Sequence, residues 1–119
     1  MEHKQLVGKF GEKLAQNYLI KKGYQIIEIN KKISYKEIDI VAKYGNLLVF
    51  VEVKTRMSSI FGKADEAMTY QKTNNFKKAV EFYANNYDIA FDNVRLDLIS
   101  IDIDKEKKTA KIKHYQDIV

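Results

Sequence analysis

Cysteine is absent from this chain. That removes disulfide staples and thiolate metal sites from the devices that hold it together. Long apolar runs are missing too, so no stretch has the length of a membrane span. The opening residues Met1-Glu2-His3-Lys4-Gln5 carry neither the apolar segment nor the small-residue cleavage site of a signal peptide. A soluble, cytoplasmic protein is the expectation. Histidine is nearly absent: His3 and His114 are far apart in sequence and isolated, which argues against a histidine metal pair and predicts two surface residues. Arginine is represented only by Arg56 and Arg95, so the positive charge is mostly lysine. Lysine attracts phosphate as a point charge and is ill suited to bidentate reading of bases. No internal repeat, low-complexity tract or linker interrupts the chain.

What is present suits one domain over residues 1–119: 45% hydrophobic and 12% aromatic content can fill a single core. Twenty-one Lys and Arg against 16 Asp and Glu give a formal net charge of +5. This balance favours a polyanionic partner without naming one.

Residues 4–22 read as an amphipathic helix, with Val7, Phe10, Leu14 and Tyr18 as its apolar stripe and Lys9, Lys13, Gln16 and Asn17 opposite. Gly8, Gly11 and Ala15 form a strip of small residues that would let the backbone approach a neighbouring layer. Glu12 projects to the border of that strip, either as a solvated carboxylate beside Lys9 and Lys13 or turned inward. Gly23 supplies the stop, after Lys21 and Lys22 at the negative end of the dipole. Tyr24 to Asn30 reads as a first strand, with Lys31, Lys32 and Ser34 as a polar connection.

The most informative stretch is Glu37 to Lys54. Two apolar runs flank Gly45-Asn46, a pair suited to a two-residue type II′ hairpin. That loop fixes a register in which facing residue numbers sum to ninety-one. Ile38, Ile40, Ala42, Val49, Val51 and Val53 then share an apolar face, while Glu37, Asp39, Glu52 and Lys54 share the other with Val41 and Phe50. Asp39 faces Glu52 and Glu37 faces Lys54. Opposed like charges destabilise a sheet, so the Asp39–Glu52 pair needs a raised pKa, a lysine or a cation. Lys54 supplies part of that relief, and a hard divalent ion would supply more. A structural ion-pair cluster on a half-exposed sheet face is the alternative.

Beyond Lys54, residues Thr55 to Lys63 read as a polar loop. A second helix runs from an N-cap at Thr69 to about Asn86, with Phe76, Ala79, Val80, Tyr83 and Tyr87 on one face. Strands follow at Val94 to Asp102 and Thr109 to Tyr115. Asp97 is either a further buried acid or, as expected, part of the polar face of an edge strand.

Helix, three strands, helix and two strands, with an acid on the second strand and Glu-Val-Lys on the third, resemble the core of the PD-(D/E)XK nuclease superfamily. The closest local matches are Gly11-Glu12-Lys13-Leu14-Ala15, Tyr18-Leu19, Gly23-Tyr24, the Glu37 to Ala42 and Val49 to Arg56 blocks, and Phe61-Gly62. These resemble the bacterial YraN-type family, regarded as endonucleases, from about Gly8 to the last strand. The resemblance implies a restriction-endonuclease-like αβββαβ core with a mixed central sheet flanked by helices, related to Holliday-junction resolvases. It also implies a phosphodiesterase site using Mg²⁺ or Mn²⁺, and DNA as substrate. Asp39 and Glu52 match the metal-binding acids, Lys54 the catalytic lysine, and Glu12 a helix glutamate added in resolvase-like members. Glu37 matches a recurrent position of less clear role. Lys31, Lys32, Arg56, Lys63 and Lys72 are candidate DNA contacts, and a homodimer is expected by analogy with two-strand cutters. One departure stands out: the family's Lys-Gln pair on the second helix is here Lys72-Thr73, with Gln71 projecting elsewhere. A nucleic-acid-binding module with weak or absent catalysis is therefore the competing expectation, and a protein-binding adaptor a third.

Overall fold

The computed structural model describes residues 3–33, 36–57, 70–86 and 93–118, without the side chains of 3–5 and 70–73. Helix α1 (His3–Lys21) is followed by β1 (Gln25–Ile33), β2 (Lys36–Tyr44), β3 (Leu47–Arg56), α2 (Tyr70–Asn86), β4 (Val94–Asp104) and β5 (Thr109–Tyr115). The five strands make one sheet in sequential order. Pairing is antiparallel except between β3 and β4, which are parallel. A parallel step needs a crossover, and α2 lies within it. This is the mixed α/β sheet with flanking helices that the family resemblance implies.

Each sheet face carries its own core. Ala15 and Leu19 of α1 pack with Ile40, Ala42, Val49, Val51, Ile99 and Ile101. On the other face, Phe76, Ala79, Val80 and Tyr83 of α2 pack with Ile38, Val41, Phe50 and Leu96. The division of the central hairpin into one core face and one charged face is thus corrected. Phe50 and Val41 belong to a second core, because α2 covers that side. Ile38 joins them rather than Ile40, so the simple alternation along β2 breaks around Asp39.

The expected stripe of α1 also needs correction. Phe10 is 55% exposed, whereas Gly11, Ala15 and Leu19 are buried. Gly11 and Ala15 seat the helix together with Leu19, while Leu14 and Tyr18 of the stripe pack partly buried against the same core. A Cβ on Gly11 would overlap the Thr55 hydroxyl and lie 2.8 Å from Thr55 Cβ, so only glycine lets α1 seat this close to β3. The helix ends as expected at Gly23, whose φ is +96°. Tyr24 N–H donates to Leu19 O at 2.9 Å and Gly23 N–H to Ile20 O at 3.1 Å, the paired bonds of a Schellman motif.

Lys31 and Lys32 do not form a connecting loop; they extend β1 and pair with Ile38 and Glu37. An edge strand tolerates, and is protected by, such lysines. Similarly, Thr55 and Arg56 continue β3 by pairing with Ile101 and Asp102 of β4 rather than opening a loop. Lys63, Thr69 and Tyr87, like the side chains of Gln71, Lys72 and Thr73, lie outside the described residues.

Asp97 and His114 overturn their surface assignments. With β5 paired beyond it, β4 is interior, and Asp97 is fully buried. Arg95 donates to both its oxygens, at 2.9 and 2.8 Å, and Asp117 N–H donates at 3.0 Å. The His114 side chain is only 6% exposed, and its Nε2 lies 2.7 Å from Asp97 Oδ2. An ionised carboxylate only accepts, so that nitrogen carries the proton. His114 Nδ1 lies 3.2 Å from the Tyr18 hydroxyl, which ties α1 to β5. Arg95 also reaches the Tyr24 hydroxyl.

Candidate active site

The hairpin register is as the loop chemistry predicts from Tyr44↔Leu47 to Ile40↔Val51. Gly45 has φ +61° and Asn46 is not in the left-handed region, as a type II′ turn requires. The ladder stops at Ile40↔Val51, so Asp39 and Glu52 are not a ladder pair. Instead the Asp39 side chain takes over the backbone's role: Oδ2 accepts from Val53 N–H at 2.8 Å. The expectation of directly facing carboxylates is corrected in this respect. They still lie close enough for each to perturb the other's proton affinity.

Around this point α1 delivers Glu12. The carboxylates of Glu12, Glu37 and Asp39 each place an oxygen within 4.8 Å of the others. Glu12 is half-buried and turned toward the sheet, not solvated beside its lysine neighbours. Glu37, whose role the sequence left open, is the third member. Glu52 and Lys54 sit beside the cluster on β3, with Nζ 3.6 Å from Glu52 Oε1.

The electrostatics share one direction. Burial raises the Glu12 carboxyl above its ordinary value, and the charges of Asp39 and Glu37 raise it further, against hydrogen bonding from Asn30 and the pull of Lys9. Asp39 is also raised, chiefly by burial, although Val53 N–H works in the opposite sense. Glu52 is pushed up to about 7 by burial and then by the charge of Asp39, with Lys54 opposing. Desolvated carboxylates that lack enough positive charge behave this way.

Two recesses open at this end of the sheet. One, on the α2 side, is lined by Lys36, Glu37, Glu52, Lys54, Asn75 and Phe76. The other, beside α1, is lined by Gly8, Glu12, Val53, Lys54, Thr55 and Met57. Lys54 borders both. Of the candidate DNA contacts, Lys31 and Lys32 lie on the β1 edge, with Lys31 3.4 Å from Glu28 Oε1. Arg56 is half-buried at the end of β3.

Sequence patterns match this arrangement to known proteins. The pattern of the uncharacterised protein family UPF0102 covers residues 11–101, from the α1 glycine that meets Thr55 to the end of the β4 core. The chain belongs to this family. It is the YraN-type family that the motifs resemble. UPF0102 proteins of Caldanaerobacter subterraneus and Flavobacterium psychrophilum are 42% and 43% identical over 113 and 116 residues. These spans cover 94% and 98% of this chain and 93% and 94% of the relatives. A UPF0102 protein of Dictyoglomus turgidum is 41% identical over 95 residues, 80% of each chain. Among solved structures, a repair endonuclease from Pyrococcus abyssi aligns with a TM-score of 0.46 at 19% identity. That alignment covers 88% of this chain and 40% of the other. An fdxN element excision controlling factor protein from Anabaena variabilis aligns at 0.40 and 14%, covering 88% and 97%.

Two site residues escaped the sequence. Asn75 of α2 lines the recess that holds Glu52 and Lys54. Asn30 of β1 touches Glu12 and Glu37. An asparagine near the end of an Ile-rich strand carries no pattern that could have flagged it.

Proposed function

We propose that this UPF0102 protein is a metal-dependent endonuclease that hydrolyses DNA phosphodiester bonds, with branched or otherwise structured DNA as the favoured class. The observation that carries this is the convergence of Glu12, Glu37 and Asp39 at a sheet end where Glu52 and Lys54 are adjacent. The donor set is entirely oxygen, the chemistry that Mg²⁺ or Mn²⁺ selects. The raised proton affinities of Glu12, Asp39 and Glu52 record a deficit of positive charge that a divalent ion would fill. Asp39 and Glu12, which converge with Glu37, and Glu52 beside them are the residues that would hold it. When bound, such an ion neutralises phosphate charge and acidifies water.

The chain's own groups have separate tasks. Lys54, bordering both recesses, places an ammonium where charge develops on a phosphate oxygen. Glu52, beside that ammonium, is oriented by it at 3.6 Å. The Val53 N–H bond fixes the Asp39 carboxylate against the strand. Lysines on the β1 edge and around the recesses supply a salt-dependent grip on the DNA backbone. Among the described residues no helix is long and apolar enough to cross a membrane; the cytoplasm is the proposed location. Paired cuts would be made by a homodimer.

The test is cleavage of linear, single-stranded, flap and four-way-junction DNA with Mg²⁺, Mn²⁺ or EDTA. Cutting should require the metal, and Asp39→Ala or Lys54→Ala should each lower it by roughly 10²–10³-fold. Binding of DNA without cutting of any substrate under either metal would replace the enzyme with a binding module.

A further inference from the structure

Asn30 adopts a backbone that strands avoid. Its φ is +53° inside β1, where the flanking pairs Ile29↔Ile40 and Lys31↔Ile38 set it opposite Asp39. Asparagine is among the few side-chain-bearing residues that tolerate this region. What the unusual conformation achieves is contact with the acids. The amide must present Nδ2 to them, since its oxygen would otherwise face two acceptors. In that orientation Nδ2 lies 3.1 and 3.2 Å from the two oxygens of Glu12 and 3.1 Å from Glu37 Oε1.

One amide therefore serves two carboxylates that arrive on different elements, Glu12 on α1 and Glu37 on β2. Without a donor between them, these acids and Asp39 would repel within the same 4.8 Å cluster. We propose that Asn30 is a positioning residue whose amide ties the helix glutamate to the sheet and so sets the three-carboxylate cluster before any cation or substrate arrives. Its consequence for catalysis rests on the endonuclease function proposed above; the tie between Asn30 and Glu12 does not.

The test separates amide from backbone. Asn30→Gly satisfies the left-handed conformation and removes only the donor. Asn30→Asp keeps a side chain that tolerates the conformation and adds a fourth acid. Mn²⁺ binding followed by calorimetry should weaken roughly 10-fold in Asn30→Gly, as for other groups that orient metal ligands. In DNA cleavage, kcat should fall by a similar factor with KM unchanged. Urea unfolding of Asn30→Gly, Glu12→Gln and the double variant, without metal, should be non-additive by about 5-fold in the unfolding constant. Parental Mn²⁺ affinity in Asn30→Gly, or an additive cycle, would overturn the proposal. If Asn30→Gly does not fold, the metal-free urea cycle of Asn30→Asp with Glu12→Gln decides: the fourth charge beside Glu12 is relieved by Glu12→Gln, so the pair should be non-additive, and an additive pair would overturn it. A parent protein that neither binds Mn²⁺ nor cuts DNA overturns the endonuclease function instead, and the metal-free cycle still decides the tie.

Discussion

Asp97 and the acids at the end of β2 and β3 have opposite surroundings. Asp97 is the one fully buried acid among the described residues. Burial alone would raise its proton affinity, yet the bonds from His114, Arg95 and Asp117 N–H and the Arg95 charge bring it below the ordinary value. Glu12, Asp39 and Glu52 keep more exposed surface than Asp97, yet burial raises each of them and no full set of donors brings it back down. Surface exposure is therefore not what separates the lowered acid from the raised ones. The difference is whether the fold completes the partner set. Around Asp97 it does, with donors from β4, β5 and the segment after β5. At the end of β2 and β3 the Val53 N–H, the Asn30 amide, the Lys54 ammonium and the pull of Lys9 on Glu12 do not bring Glu12, Asp39 and Glu52 back to their ordinary values.

The contrast can be broken most severely at its satisfied end. Asp97→Ala would leave Arg95 and His114 buried without their shared acceptor, at a cost of about 3–5 kcal/mol in urea unfolding. Since the folded-state affinity of Asp97 lies below 3.8, its ionised form is favoured in the native protein. The stability it contributes is present above that value and is lost as pH falls toward the depressed one. The parent should show that acid loss, and Asp97→Ala should lack it.

At the unsatisfied end the sign reverses. Glu52 rises from 4.5 to about 7 on folding, so without metal its contribution is greatest below 4.5 and is lost as pH rises through 7. Glu52→Gln should therefore raise metal-free stability at pH 8 by about 1–3 kcal/mol and flatten the profile between pH 4.5 and 7. A destabilised Glu52→Gln protein at pH 8 would erase the distinction between the two clusters. The smallest effect is expected at the rim of the satisfied network. Tyr18→Phe removes the hydroxyl beside His114 Nδ1 and should cost about 0.5–1.5 kcal/mol in the same unfolding assay, with little change in DNA cutting.

These assignments differ in how far the sequence could carry them. The hairpin register was legible because a two-residue glycine turn and period-two apolar residues are local, and a slip of one residue would exchange the faces. Asp39, Glu52 and Lys54 were legible as an anomaly of charge in apolar strands. That they are not a ladder pair was not, because Asp39 accepts from Val53 N–H only where the two strands part. Asp97 was misplaced because its acceptors' partners come from residues 2, 17 and 20 positions away. Glu12 sat on the border of a helix wheel, and a wheel does not say which border meets the acids.

Local composition thus determined the elements, their order, the hairpin turn and the candidate Asp39–Glu52–Lys54 chemistry, since each depends on side-chain period or on turn conformation within a few residues. The tertiary structure alone decided which carboxylates are completed by partners and which are left short. Proton affinity depends on desolvation and on charges brought together from distant segments, and neither exists until α1, β1 and the end of the central hairpin meet.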